Sequence, residues 1–147
     1  MNENNYKLII NELIKVIPDG WGDIIFYGEF GEGSYSFEYY VKFEDEEFIQ
    51  CFKLKDISKT DIMSAFDKIN TILKLERVVL SDEKRWTNCT LLVNKSGKFK
   101  MDYDYTDLTE KAYAYQSVWK FKYLNITPSS NNKKAKEAVD EYLKINK

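Results

Sequence analysis

Hydrophobic and polar positions change period several times along the chain, and each change marks an element. Tyr6, Ile9, Ile10, Leu13, Ile14 and Ile17 recur at helical spacing, which predicts an amphipathic helix over residues 4–17. Pro18-Asp19-Gly20 stops it. A strand is predicted from Trp21 to Phe30, then a Gly31-Glu32-Gly33 turn, then a strand from Ser34 to Phe43. In that second strand Tyr35, Phe37, Tyr39, Val41 and Phe43 fall on one face. Ser36, Glu38, Tyr40 and Lys42 fall on the other. Glu44-Asp45-Glu46 turns the chain, and Glu47 to Leu54 is expected to return as a third strand. Ser58 suits a helix N-cap, with Asp61 favourably placed in the first turn. The helix after it reaches about Leu80, with Ile62, Phe66, Ile69, Ile72 and Leu73 on one stripe.

A polar connector, Ser81–Arg85, leads to two strands, Trp86–Asn94 and Lys98–Tyr105, joined through Lys95-Ser96-Gly97. The second alternates strictly: Phe99, Met101, Tyr103 and Tyr105 oppose Lys100, Asp102 and Asp104. Residues 109–124 suit a helix through Ala112, Tyr115, Trp119 and Tyr123, yet Trp119, Phe121 and Tyr123 also alternate as a strand would. After a Pro128–Asn132 linker, a last helix over Lys133–Ile145 is expected to bury Ala135, Ala138, Val139, Tyr142 and Leu143. The order is α-βββ-α-ββ-α-α. It predicts an α+β fold: a single antiparallel sheet of about five strands with helices packed on one face.

Composition narrows the chemistry. The chain has 147 residues, 44% hydrophobic and 31% charged, enough to bury a core without disulfides or metals. It contains no histidine, which removes histidine bases, triads and metal ligands together. Cys51 and Cys89 lack metal-site or redox spacing and fall in predicted strands, so buried thiols are expected. No serine or cysteine has a visible base partner, and Gly31-Glu32-Gly33 lacks the helix and Lys-Ser/Thr of a phosphate loop. No enzyme activity and no cofactor are expected. Met1-Asn2-Glu3-Asn4-Asn5 is polar, without the basic start of a signal peptide, and no apolar run reaches transmembrane length. A cytoplasmic protein is the expectation.

Net charge is only −2, but the acids cluster. Glu29, Glu32, Glu38, Glu44, Asp45, Glu46 and Glu47 share a stretch with one base, Lys42. Asp102, Asp104, Asp107 and Glu110 form a second group with no base. No broad basic surface exists to bind nucleic acid, whereas acidic patches suit a basic partner. Asp102 and Asp104 point to the same side of a strand and are open to three readings: a solvated face, a pair of ligands for a divalent ion, or a contact surface. Glu44-Asp45-Glu46 protects a strand edge or steers a cationic partner. Trp86 and Trp119 suit the core better than an interface, while Tyr40, an aromatic on a polar face, stands out as a candidate contact.

Three blocks together carry a family resemblance: Trp86-Thr87-Asn88-Cys89-Thr90, then Gly97-Lys98-Phe99-Lys100-Met101-Asp102-Tyr103-Asp104-Tyr105, then Trp119-Lys120-Phe121-Lys122-Tyr123-Leu124. In order and spacing they resemble the YezG/EsaG family of small bacterial immunity proteins, which neutralise nuclease toxins of type VII (LXG-type) secretion systems. The likeness covers residues 1 to about 128. It suggests an immunity domain over 1–128, with 129–147 a linker and a C-terminal helix packing on the same domain. Cys89 and Asn125 depart from the pattern, which has an aliphatic residue and a glycine there, and Tyr115-Gln116-Ser117 replaces a more charged segment. The resemblance implies a cytoplasmic antitoxin that binds and inhibits the basic nuclease domain of a cognate toxin, with no direct contact to nucleic acid or membrane. It favours a contact role for Asp102 and Asp104, with Asp107 and Glu110 nearby; Tyr40, Glu44, Asp45 and Glu46 join the candidate contact residues from the alternation and charge pattern alone. The alternatives are a metal-dependent hydrolase using Asp102 and Asp104, and a toxin secretion chaperone.

Overall fold

A computed structural model describes residues 2–44 and 46–146. The elements run α1 (Glu3–Ile14), β1 (Asp23–Gly31), β2 (Ser34–Lys42), β3 (Ile49–Gln50), α2 (Lys59–Val78), β4 (Asn88–Asn94), β5 (Phe99–Asp104), α3 (Ala112–Leu124) and α4 (Lys133–Ile145). The five strands form one antiparallel sheet in the order β3-β2-β1-β4-β5. The expected α+β class and element order are therefore those observed. The chain divides into two compact units, Met1–Thr106 and Asp107–Lys147. Among the described residues no helix is long and apolar enough to cross a membrane.

In the first unit α1 and α2 cover one face of the sheet. Ile9 and Leu13 of α1, with Ile62, Phe66, Ile69 and Leu73 of α2, meet Ile24, Phe26, Phe37, Tyr39, Val41, Cys89, Leu91 and Val93 from the strands. Removal from water stabilises each large apolar side chain by about 1.5–3 kcal/mol. Ser58 does cap α2, its hydroxyl accepting the Asp61 N–H at 3.1 Å. Tyr39, fully buried, donates its hydroxyl to the Val16 carbonyl at 2.7 Å and so ties β2 to the turn after α1. Gly28 sits mid-strand because a Cβ there would come within 3.0 Å of the Phe37 ring.

The third strand is much shorter than its sequence predicts. Only Ile49 and Gln50 pair with β2, opposite Val41 and Tyr40. The Gln50 side chain then accepts the Phe52 N–H at 2.8 Å, and Cys51–Lys53 coil into a 3-10 turn. This local bond competes with the ladder, while Cys51 and Leu54 still reach the core.

Trp86 is 4% exposed, between Phe30 and Tyr103 with ring centroids at 5.5 and 5.3 Å. Arg77 of α2 lies over Phe30 and Trp86 and donates its Nε–H to the Trp86 carbonyl at 2.8 Å. Desolvation, then the neighbouring Arg85, lower the Arg77 pKa. Arg85 closes the end of α2 by donating to the Arg77 and Leu80 carbonyls at 3.2 and 2.6 Å.

In the second unit, the ambiguous Trp119-to-Tyr123 stretch is helical. Asn125 ends α3 in the left-handed region at φ 57°, its N–H donating to the Phe121 carbonyl at 3.2 Å. That conformation explains why glycine suits this position, and asparagine is among the residues that tolerate it. α4 spans Lys133–Ile145 as expected, capped by Asn132, whose side chain accepts the Ala135 N–H at 3.2 Å. Phe121 and Tyr142 join the two helices edge to face at 6.5 Å. Ala135 and Val139 are buried, but Leu143, expected inside, is 43% exposed. The inward stripe passes through Tyr142, and one further residue rotates the side chain about 100° away.

Candidate partner-binding site

The face of the sheet opposite α1 and α2 carries acids on three of its strands. Register places Glu38, Tyr27, Thr90 and Asp102 in one row across β2-β1-β4-β5, and Ser36, Glu29, Asn88 and Asp104 in the next. Asp102 is half-buried, 3.5 Å from the Lys100 ammonium. The Asp104 carboxylate accepts from the Asn88 amide at 3.3 Å and the Thr106 N–H at 3.0 Å. Thr87 donates its hydroxyl to the Thr106 carbonyl at 2.7 Å. Trp86, Thr87 and Asn88 thus hold the core and the end of β5, which gives the Trp-Thr-Asn block a structural basis. Glu29 and Glu38 join this face only through pairing across four strands, which their local sequence does not signal. Among the described residues, no group of three or more His, Cys, Asp or Glu side chains stands close enough together to hold a metal ion.

Tyr40 is not a surface aromatic. It is 5% exposed, and its hydroxyl donates to the Glu38 carboxylate at 2.6 Å. Burial, reinforced by Glu38, pushes its phenol well above the ordinary value. Alternation assigns its face correctly, but that face also carries buried Ile25 and Tyr27 from the neighbouring strand.

The remaining acids lie on turns. Glu44, at φ 48°, and Glu46 are exposed between β2 and β3, and Asp45 lies outside the described residues. Asp107 and Glu110 are exposed in the second unit, ahead of α3. Thr109 donates its N–H and hydroxyl to the Asp107 carboxylate, at 3.0 and 2.6 Å, and holds it below the usual carboxylate range. Asp102 and Asp104 therefore share a sheet face and Glu44 and Glu46 share a turn, while Tyr40 belongs to the interior.

An open depression of about 390 Å³ adds a feature the sequence did not reveal. Ile25, Phe48 and Leu92 supply apolar wall, with Asp23, Lys98 and Lys100 as charged groups among its lining. Phe48 comes directly after the Glu44–Glu47 turn, and the Lys42 ammonium lies 5.7 Å from its ring centroid. Strands β1, β4 and β5 and, just ahead of β5, Lys98 supply the other lining residues, so no contiguous motif marks the site.

A small α+β protein with an apolar depression next to an exposed acidic turn has the equipment of a macromolecule-binding module. The chain belongs to the YezG-like immunity protein family: the family model "Immunity protein YezG-like" matches residues 2–138. It is similar to Immunity protein YezG of Bacillus subtilis (strain 168), with 28% identity covering 94% of this chain and 96% of that protein. It is also similar to Immunity protein YezG of Bacillus spizizenii (strain ATCC 23059 / NRRL B-14472 / W23), with 24% identity covering 96% of this chain and 92% of that protein. The family match includes residues of both compact units.

Proposed function

We propose that this chain is a cytoplasmic immunity protein that binds the nuclease domain of a cognate LXG-type, type VII-secreted toxin and inhibits it stoichiometrically. The observation that carries this reading is the family match over residues 2–138. The geometry supports a binding role and suggests where contact is made. Nuclease domains that hold nucleic-acid phosphates are basic, so Glu44 and Glu46, with Asp45 between them, would steer the toxin toward the β2–β3 turn. The depression beside Phe48 would take an apolar or aromatic toxin side chain as an anchor. Asp102, two residues from Lys100 on the same strand face, extends the contact and Asp104 adds negative potential; Asp107 and Glu110 give the second unit its own negative potential. The chain supplies no catalytic residue, cofactor or metal ligand in this scheme.

Mixing purified chain with the toxin's nuclease domain tests the proposal. Nuclease activity should titrate to zero at equimolar ratio. Glu44→Lys with Glu46→Lys should slow association by about tenfold at low salt, with dissociation little changed. Absence of a complex would refute the function, and a complex that retains full nuclease activity would make the chain a secretion chaperone. Unchanged association for the folded double variant would move the interface away from the turn.

A further inference from the structure

We propose that two copies of this chain pair through β5, edge to edge and antiparallel, to form a continuous ten-stranded sheet. β5 is the last strand of the sheet, and among the described residues no strand lies beyond it. Its pairing phase with β4 is fixed: the Asn94 N–H donates to the Lys98 carbonyl at 3.0 Å, and Leu92–Lys100, Thr90–Asp102 and Asn88–Asp104 follow in register. Antiparallel residues alternate between bonding to one neighbour and to the other. The backbone groups of Phe99, Met101 and Tyr103 therefore face outward, a three-residue template for another strand.

The side chains select the occupant. Antiparallel pairing centred on Met101 sets Phe99 opposite the second copy's Tyr103, and all the outward backbone groups meet. The same register sets Lys100 opposite Asp102 of the second copy, and Lys98 opposite its Asp104. Each relation occurs twice about the two-fold axis, giving four opposite-charge cross-strand pairs on one face. A shift of two residues in one copy would replace some of these with like-charge pairs. Lys98 and Lys100 are exposed. Half-buried Asp102 already faces the exposed Lys100 of its own strand at 3.5 Å, and that contact can be exchanged for one across the axis.

Pairing six-residue strands makes a small interface, so the dimer is weak, with a dissociation constant of roughly 10–100 μM. Sedimentation velocity on the chain alone, over about 5–500 μM, reads it without involving any toxin. Lys100→Glu sets Glu against Asp102, and Asp102→Lys sets Lys against Lys100. Either substitution alone should raise the dissociation constant at least about tenfold, because two attractive pairs become repulsive. An equimolar mixture of the two variants restores opposite charge at both positions and should dimerise again. Circular dichroism confirms that each variant is folded. A wild-type chain that stays monomeric throughout, or a mixture that stays as monomeric as its folded components, overturns the proposal. If the wild type is monomeric alone but folded Lys100→Glu loses toxin binding, the edge belongs to a toxin segment, which also overturns it.

Discussion

Tyr39→Phe isolates a single buried hydrogen bond. The ring, fully buried and edge-on to Phe66 at 5.9 Å, is retained, and only the hydroxyl that donates to Val16 is lost. Val16 itself is 4% exposed, so water does not readily replace the donor. A net hydrogen bond contributes about 0.5–1.5 kcal/mol, and a buried carbonyl left unpaired costs about 1–3 kcal/mol in desolvation. These figures overlap because they describe the same loss, which places the destabilisation at about 1.5–2 kcal/mol. For a chain of this size the thermal midpoint should fall by roughly 5–8 °C. Urea titration at neutral pH, followed by far-ultraviolet circular dichroism, should give a lower midpoint with an unchanged m-value. A folded variant with the wild-type midpoint would refute the claim that this bond ties β2 to the turn after α1.

Alkaline pH should destabilise the fold. Burial pushes the Cys51 thiol from 9.0 up to about 11 and the Cys89 thiol up to about 12. The native state therefore keeps protons that the unfolded chain releases near pH 9. The stabilisation is complete below that pH and declines as pH rises toward 11–12, by up to about 1.4 kcal/mol per pH unit for each thiol. Tyr39, Tyr40 and Tyr103 are shifted in the same direction and steepen the decline above their ordinary value of 10.0. A urea midpoint that stays flat from pH 8 to 11 would contradict the burial of these groups. At the end of α3, Asn125→Gly should raise stability by a few tenths to about 1 kcal/mol, and Asn125→Val should lower it by about 1–2 kcal/mol. Differential scanning calorimetry checks both, and identical midpoints for Gly and Val would refute the left-handed cap.

Elements governed by one local pattern were legible in the sequence. The α2 stripe and its Ser58 cap need only spacing, and so do the alternating faces of β2 and β5. The shortening of β3 was not legible, because a side-chain bond from Gln50 decides it and Cys51 reaches the core in either conformation. Trp119 and Tyr123 fit both periods and Phe121 only that of a strand, so the helix, expected through Ala112, Tyr115, Trp119 and Tyr123, carried a competing strand reading, which α3 resolves. Tyr40 shows a different limit. Alternation finds a residue's face, but burial depends on every strand beside it. For the same reason Glu29 and Glu38 joined Asp102 and Asp104 only once the register was known, and the depression beside Phe48 needed three further strands.

The brevity of β3 also governs how far this molecule can polymerise. A sheet with two receptive borders can add copies at both, which is the geometry of a fibril. Here the β3 border offers two paired residues before the 3-10 turn carries the chain away. It is a poor template for another strand. Strand addition at β5 would consume that extended border and leave, at both ends of the enlarged sheet, β3 and the part of β2 (Ser34–Tyr39) that runs past it. Further growth would have to start on that stepped border, where β3 interrupts the row of backbone groups that β2 presents, so the few residues that fail to complete a strand would make each later step less favourable than the first.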